Sequence, residues 1–146
     1  MPVARFTVQL CTWQDAEPSL RTIRTRVFIQ EQNVPEALEW DGEDAHAVHA
    51  IARDSNGIAV GTTRLIMHDQ QAHIGRMAVL PEWRSQGVGQ ALLETILAAA
   101  KARGARSAFL NAQTTAVAFY ARTGFVVEGV QFLDAGIPHL RMARSL

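Results

Sequence analysis

The stretch from Ala72 to Ala112 constrains the fold more than any other part of the chain. Ala72 to Leu80 reads as a strand, and Pro81 ends it. Gly89 to Arg103 reads as a helix rich in Ala and Leu, with Lys101 and Arg103 in its last turn and Gly104 just beyond. Arg106 to Ala112 reads as the next strand. A strand–helix–strand crossover is right-handed, so the helix must cover one particular face of a sheet. Between the first strand and the helix lies Arg84-Ser85-Gln86-Gly87-Val88-Gly89. A helix N-terminus leaves backbone N–H groups free, and glycine lets the chain approach an anion closely. The turn therefore suits a pyrophosphate, with Arg84 adding a full charge, although a turn like this also serves as a plain connection. A dinucleotide fingerprint needs a small residue where Leu92 stands and an acid about 20 residues on, but no Asp or Glu occurs between Glu94 and Glu128. The Gly-Lys-Ser/Thr of a P-loop is absent.

The flanks supply the rest of a sheet. Arg5 to Leu10 alternates as a strand, and a helix capped by Asp15 follows, with Leu20, Ile23, Val27 and Phe28 at helical spacing until Pro35. Ala47 to Asp54 and Ile58 to His68 flank the turn Ser55-Asn56-Gly57 as a hairpin. Thr115 to Arg122 reads as a short helix before Gly124. Phe125 to Leu133 and Ile137 to Arg144 close the chain as a strand pair about Asp134-Ala135-Gly136. Strands and helices in this order form an α+β sheet with helices packed on it.

A length of 146 residues fits a single domain, 1–146. Fourteen basic residues balance fourteen acidic ones, which argues against a nucleic-acid partner. No run reaches the ~20 apolar residues of a membrane span, and Met1 to Phe6 does not begin a signal peptide. Cys11 is the sole cysteine, so no internal disulfide forms and a reducing cytoplasm is the expected compartment. Charge is uneven in one place. No Lys or Arg falls between Arg26 and Arg53, where Glu31, Glu36, Glu39, Asp41, Glu43 and Asp44 all lie. That segment reads either as a solvated loop or as an acidic rim drawing in a cationic substrate. His46 and His49 sit three apart on a strand and so face opposite ways; with Asp44 they make no metal site.

Met77-Ala78-Val79-Leu80-Pro81-Glu82-Trp83, then Arg84-x-x-Gly87-x-Gly89 and the helix, resembles the acyl-CoA-binding motif of the GNAT superfamily of N-acetyltransferases. Asn111-Ala112 resembles the family's next block, and Ala118 to Phe125 the helix and turn after it. Val27-Phe28 through Val34-Pro35, and Gly136-Ile137-Pro138-His139, resemble a bacterial branch of small stand-alone members. The resemblance implies a mixed central sheet of about seven strands, an antiparallel meander plus a splayed parallel pair, flanked by about four helices. It implies one N-acetyltransferase domain with acetyl-CoA as cosubstrate, no metal, a small-molecule amine acceptor and, as in many relatives, a homodimer. The open edge at the last strand is where a second copy would add.

Residue by residue, the resemblance puts the backbone of Met77, Ala78 and Val79 beside the pantetheine and acetyl group, where a main-chain N–H would serve the oxyanion. Gln86, Gly87, Val88, Gly89 and Gln90 would cradle the pyrophosphate; Asn111 would touch the pantetheine arm, and Ala116 and Phe119 would line it. Amine attack on a thioester needs a neutral amine, a stabilised oxyanion and a proton for the departing thiolate. Tyr120 matches the family's general acid. His139 is the first candidate base and Glu31 the second, and some relatives use only a water chain. Trp40 is a candidate wall of the acceptor pocket. Two other readings stand beside the enzyme: a non-catalytic acyl-CoA-binding or sensing domain, and a nucleotide-binding or interaction module. Tyr120 beside an intact glycine turn weighs against pure binding, which has no use for an acid at the sulfur.

Overall fold

The computed structural model describes residues 5–146. The reading of Met1 to Ala4 lies outside them. β1 (Phe6–Cys11) leads into α1 (Trp13–Arg24), which runs on as a π-helical segment, Thr25–Glu31. Thr12, not Asp15, caps α1: its hydroxyl accepts the Asp15 N–H at 3.1 Å. Asp15 lies in the first turn, where its charge faces the positive end of the helix dipole. After a short α2 (Glu36–Glu39) come β2 (Val48–Asp54), β3 (Ala59–His68), β4 (Gln71–Val79), α3 (Val88–Ala102), β5 (Ser107–Gln113), α4 (Val117–Ala121), β6 (Val126–Asp134) and β7 (Ile137–Ser145).

The seven strands form one sheet in the order β1-β2-β3-β4-β5-β7-β6, with β4–β5 the parallel pair and every other neighbour antiparallel. This is the mixed sheet with four helices that the resemblance implied. One face packs under α3, whose Val88, Leu92, Leu93 and Ile96 are buried with Leu65, Ile74 and Leu110. Gly61 permits that approach, since a Cβ there would stand 3.0 Å from Leu92 Cδ1 and 3.1 Å from Val88 Cγ1. The other face carries α1, whose Trp13, Ala16 and Leu20 bury Ile51.

The open edge is not the last strand. β7 is inserted between β5 and β6, because its long antiparallel pairing with β5 takes the inner place and leaves its hairpin partner outermost. β6 is exposed along its whole length, with Val126, Val130 and Leu133 bare. A second copy adding to this end of the sheet would meet β6.

Candidate active site

β4 and β5 pair only at Gln71–His73 against Ser107–Phe109, and then diverge. From Ile74 and Leu110 onward neither strand has a ladder partner in the other. A cleft of about 880 Å³ opens there, and its walls include the π segment, α2, the start of α3, α4 and the β6–β7 turn. Met77, Ala78 and Val79 form one wall and Asn111, Ala116 and Phe119 the other.

Alternation continued from Ala72 and Ile74 would send Arg76 into the apolar layer under α3. A bulge prevents this: Arg76 and Met77 together oppose one residue of β3, and Arg76 takes φ +49°. Its side chain swings to the opposite face, against α2. An arginine at a would-be core position was the one available sequence signal of that bulge.

The glycine turn delivers an open helix end. Gly87 caps α3 at φ +88°, a conformation open to glycine at no steric cost, and no side chain caps the first-turn N–H groups. Gly89 lets Phe119 lie over that turn, since a Cβ on Gly89 would stand 3.3 Å from Phe119 Cζ. Arg84, Gly87, Val88, Gly89 and Gln90 all line the cleft. Gln86 does not: its amide donates to the Glu82 carbonyl at 3.0 Å and accepts from Arg5 at 3.2 Å, outside the walls.

Tyr120 is buried at the cleft, with its ring edge-on to Phe119 (5.0 Å) and Phe125 (6.1 Å). Burial pushes its hydroxyl well above the usual phenol range, so it keeps its proton throughout neutral and mildly alkaline pH. His139 also lines the cleft. Its Nδ1 lies 2.7 Å from the Ile137 carbonyl, and Phe132 stacks on the ring at 5.8 Å. A carbonyl only accepts, so Nδ1 carries the proton of the neutral ring and Nε2 has the free lone pair. Glu31, the other candidate base, is engaged. Its two carboxylate oxygens accept from Arg84 at 2.7 and 2.8 Å, and that hydrogen bonding lowers its pKa. Arg84 Nε meanwhile donates to the Val79 carbonyl at 3.0 Å. Gln113 at the end of β5 donates to Gln32 at 2.8 Å, joining the strand to the chain just past the π segment.

Three of the six acids of the acidic segment are neither solvated nor a free rim, while Glu36 and Glu43 are exposed and make no ion pair among the described residues. Glu39, Asp41 and Asp44 alternate with Arg24, Arg64 and Arg76 in a closed ring of ion pairs, with most contacts between 2.7 and 3.2 Å. Three acids meet three bases that sequence distance had hidden. Burial pushes the Glu39 carboxyl up. Burial also acts to raise Asp41, but the hydrogen bonds from Arg64 and the Glu43 N–H, with the charges of Arg64 and Arg76, overcome it and bring Asp41 to about 2. Trp40 faces this ring from behind, over Arg24 (5.0 Å) and beside Trp13 (6.4 Å), and does not line the cleft. His49 is buried with Nε2 3.0 Å from the Asp44 carbonyl. Among the described residues no group of three or more His, Cys, Asp or Glu is placed to hold a metal ion, and no helix is long and apolar enough to cross a membrane.

A splayed parallel pair ending beside an uncapped helix N-terminus is the arrangement the sequence resemblance implied. Residues 12–146 match the family model described as an acetyltransferase (GNAT) domain. The chain belongs to the GNAT superfamily of N-acetyltransferases. It is 41% identical over 124 residues to the uncharacterized N-acetyltransferase YjcF of Bacillus subtilis, covering 84% of this chain and 88% of that one. The crystal structure of an acyl-CoA N-acyltransferase from Pseudomonas aeruginosa superposes with a TM-score of 0.84 at 32% identity, over 95% of this chain and 99% of that one. The N-acetyltransferase PaiA of Thermoplasma acidophilum, solved in complex with coenzyme A, shares the fold at 16% identity (TM-score 0.72, over 97% and 99%). Acyl transfer from acyl-CoA to an amine is the reaction of this GNAT superfamily, and acetyl-CoA its usual cosubstrate.

Proposed function

We propose that residues 1–146 act as one N-acetyltransferase domain that moves an acetyl group from acetyl-CoA directly to the amine of a small acceptor. The observation that carries this reading is the cleft itself: unpaired edges of β4 and β5 run from an uncapped helix N-terminus to the buried Tyr120 hydroxyl. In this reading the free N–H groups at Gly87 to Gln90 receive the pyrophosphate, and the backbone of Met77 to Val79 pairs with the pantetheine as a strand would. The acceptor nitrogen attacks the thioester carbon, and a main-chain N–H of the Met77–Val79 edge donates to the oxyanion. As the C–S bond breaks, Tyr120 gives its proton to the thiolate. His139, through Nε2, takes the proton shed by the amine, a role its tautomer supports better than Glu31's engaged carboxylate does. A cytoplasmic location suits the lone Cys11.

Thiol release from acetyl-CoA across a panel of amines tests the reading, together with thermal shifts. Coenzyme A should raise the melting temperature by mass action while NAD and ATP do not. Stabilisation by coenzyme A with no turnover on any amine would favour a sensing domain; no stabilisation would overturn the assignment of the cleft.

A further inference from the structure

In the ring of ion pairs, Arg76 is the member left short of partners. Arg24 uses all three nitrogens, Nε and Nη2 on Glu39 and Nη1 on Asp44. Arg64 meets both Asp41 oxygens and Asp44. Arg76 makes its hydrogen bonds through Nη2 alone, to the carbonyls of Leu38 and Glu39 and to Asp41 Oδ2, at 3.2–3.3 Å. Its Nε lies 3.1 Å from Glu39 Oε2 but out of hydrogen-bond alignment, and is the one buried side-chain donor without a partner among the described residues. Its Nη1 has no hydrogen-bond partner among the described residues either, yet it is not buried, and the residue lines the cleft.

Nε is buried and cannot be reached, but Nη1 is open to solvent and uncommitted to the protein, so a ligand oxygen can take it in exchange for water. The donor is unmet but the charge is met. Glu39 and Asp41 stand 3.1 and 3.2 Å from this guanidinium, so a third carboxylate would be pushed against both. The neighbouring groups offer such an anion little. Burial first, then the charges of Arg64 and His68, bring His73 down to about 4 and leave it neutral; Asp134 is an acid; Arg64 is taken by Asp41 and Asp44 and Arg84 by Glu31; Arg122 also lines the cleft, but from the end of α4 and outside the ring that holds Arg76. A neutral carbonyl oxygen accepts the N–H without adding charge. Arg76 also precedes Met77, beside which the acetyl group would lie, and both residues line the same cleft.

We infer that Arg76 Nη1 holds a neutral carbonyl of the acceptor, and that the acceptor class is an amine bearing a nearby amide, as in an amino-acid amide or a peptide N-terminus, rather than a free amino acid. This rests on the acetyl-transfer reading above. The test compares alaninamide, alanine and ethylamine by thiol release, in the wild type and in Arg76→Lys. Lysine keeps the charge facing Glu39 and Asp41 and the same backbone conformation while removing Nη1. Alaninamide should have the lowest KM. Arg76→Lys should raise that KM roughly tenfold more than it raises the KM of ethylamine, the effect of one lost hydrogen bond to a charged donor. Comparing each amine with itself across the two proteins cancels differences in amine basicity. A lower KM for alanine or ethylamine, or an equal rise for all three, would overturn the inference. Calorimetry on the coenzyme-A-saturated protein separates the two readings. Tightest binding of alaninamide without turnover keeps the Arg76 subsite and removes the acetyl-transfer step; no preferential binding of the amide removes the subsite.

Discussion

In the proposed mechanism Tyr120 supplies the proton for the departing thiolate. Tyr120→Phe keeps the ring between Phe119 and Phe125 and removes only the hydroxyl. Coenzyme A affinity should hold while kcat falls by ~10²–10⁴, the usual contribution of a general acid. A wild-type kcat in that variant would reduce Tyr120 to packing. The direction of its pKa shift fixes a second outcome. The acid form is the active one and burial raises its pKa, so loss of the proton cannot limit kcat until pH exceeds the ordinary phenol value of about 10. An alkaline fall in kcat below that pH, on an amine already neutral, would contradict the assignment. At the glycine turn, Gly87→Val puts a β-branched residue at φ +88°, where nothing stands within 4 Å of its Cβ. The cost is therefore conformational at the turn, and coenzyme A affinity should drop by at least tenfold, read by calorimetry on the folded variant. The places of Tyr120 and Gly87 on the cleft could be anticipated from the sequence because their neighbours along the chain carry the motif. That of Arg76 could not, since it depends on a bulge and on carboxylates 35 or more residues away.

Among the elements, α2 and the loop after it depend on ion pairs more than on apolar burial. Four residues make a helix too short to stand alone. What fixes it is Glu39, held by Arg24 of α1 and Arg76 of β4, with Asp41 and Asp44 held by Arg64 of β3. Removing one partner strands buried charge, so Arg24→Met should cost about 3–5 kcal/mol in a denaturant titration. A loss below 1 kcal/mol would mean the ring is ornamental. The ring also sets an acid limit. Asp41 has a folded pKa of about 2, below its unfolded value of about 3.9. Its contribution is complete above pH 4 and disappears as pH falls toward 2, because the unfolded chain takes up that proton first. Long periodic elements such as α3 and the β2–β3 hairpin were readable from the sequence within a residue or two. The π segment was not: Thr25 to Glu31 has the same apolar spacing as the helix before it, and only its i→i+5 bonding, with Gln32 N–H to the Val27 carbonyl at 3.2 Å, sets it apart.

For the molecule as a whole, the element order pointed to the right fold class, but not to which strand lies outermost. Strand order at the end of a sheet depends on long-range pairing, and β7 pairs with β5 between residues 26 to 38 apart in a chain that carries no local mark of it. The brief seam between β4 and β5 has a consequence for the whole sheet. An ordinary open sheet has an edge on each flank; this one has further edges on the inside, facing each other across the cleft. Bare edges usually invite stray strands, and here they face each other inside the cleft rather than on an outer flank. Backbone amides should therefore exchange with solvent in a split pattern. Those at 71–73 and 107–109 should be slow in the free protein, whereas that of Val79, which alternation turns away from β3 toward the cleft, should be fast and then slow sharply when coenzyme A takes the place of a missing strand. On the proposed reading the protein carries a sheet one strand short, and acetyl-CoA is the strand.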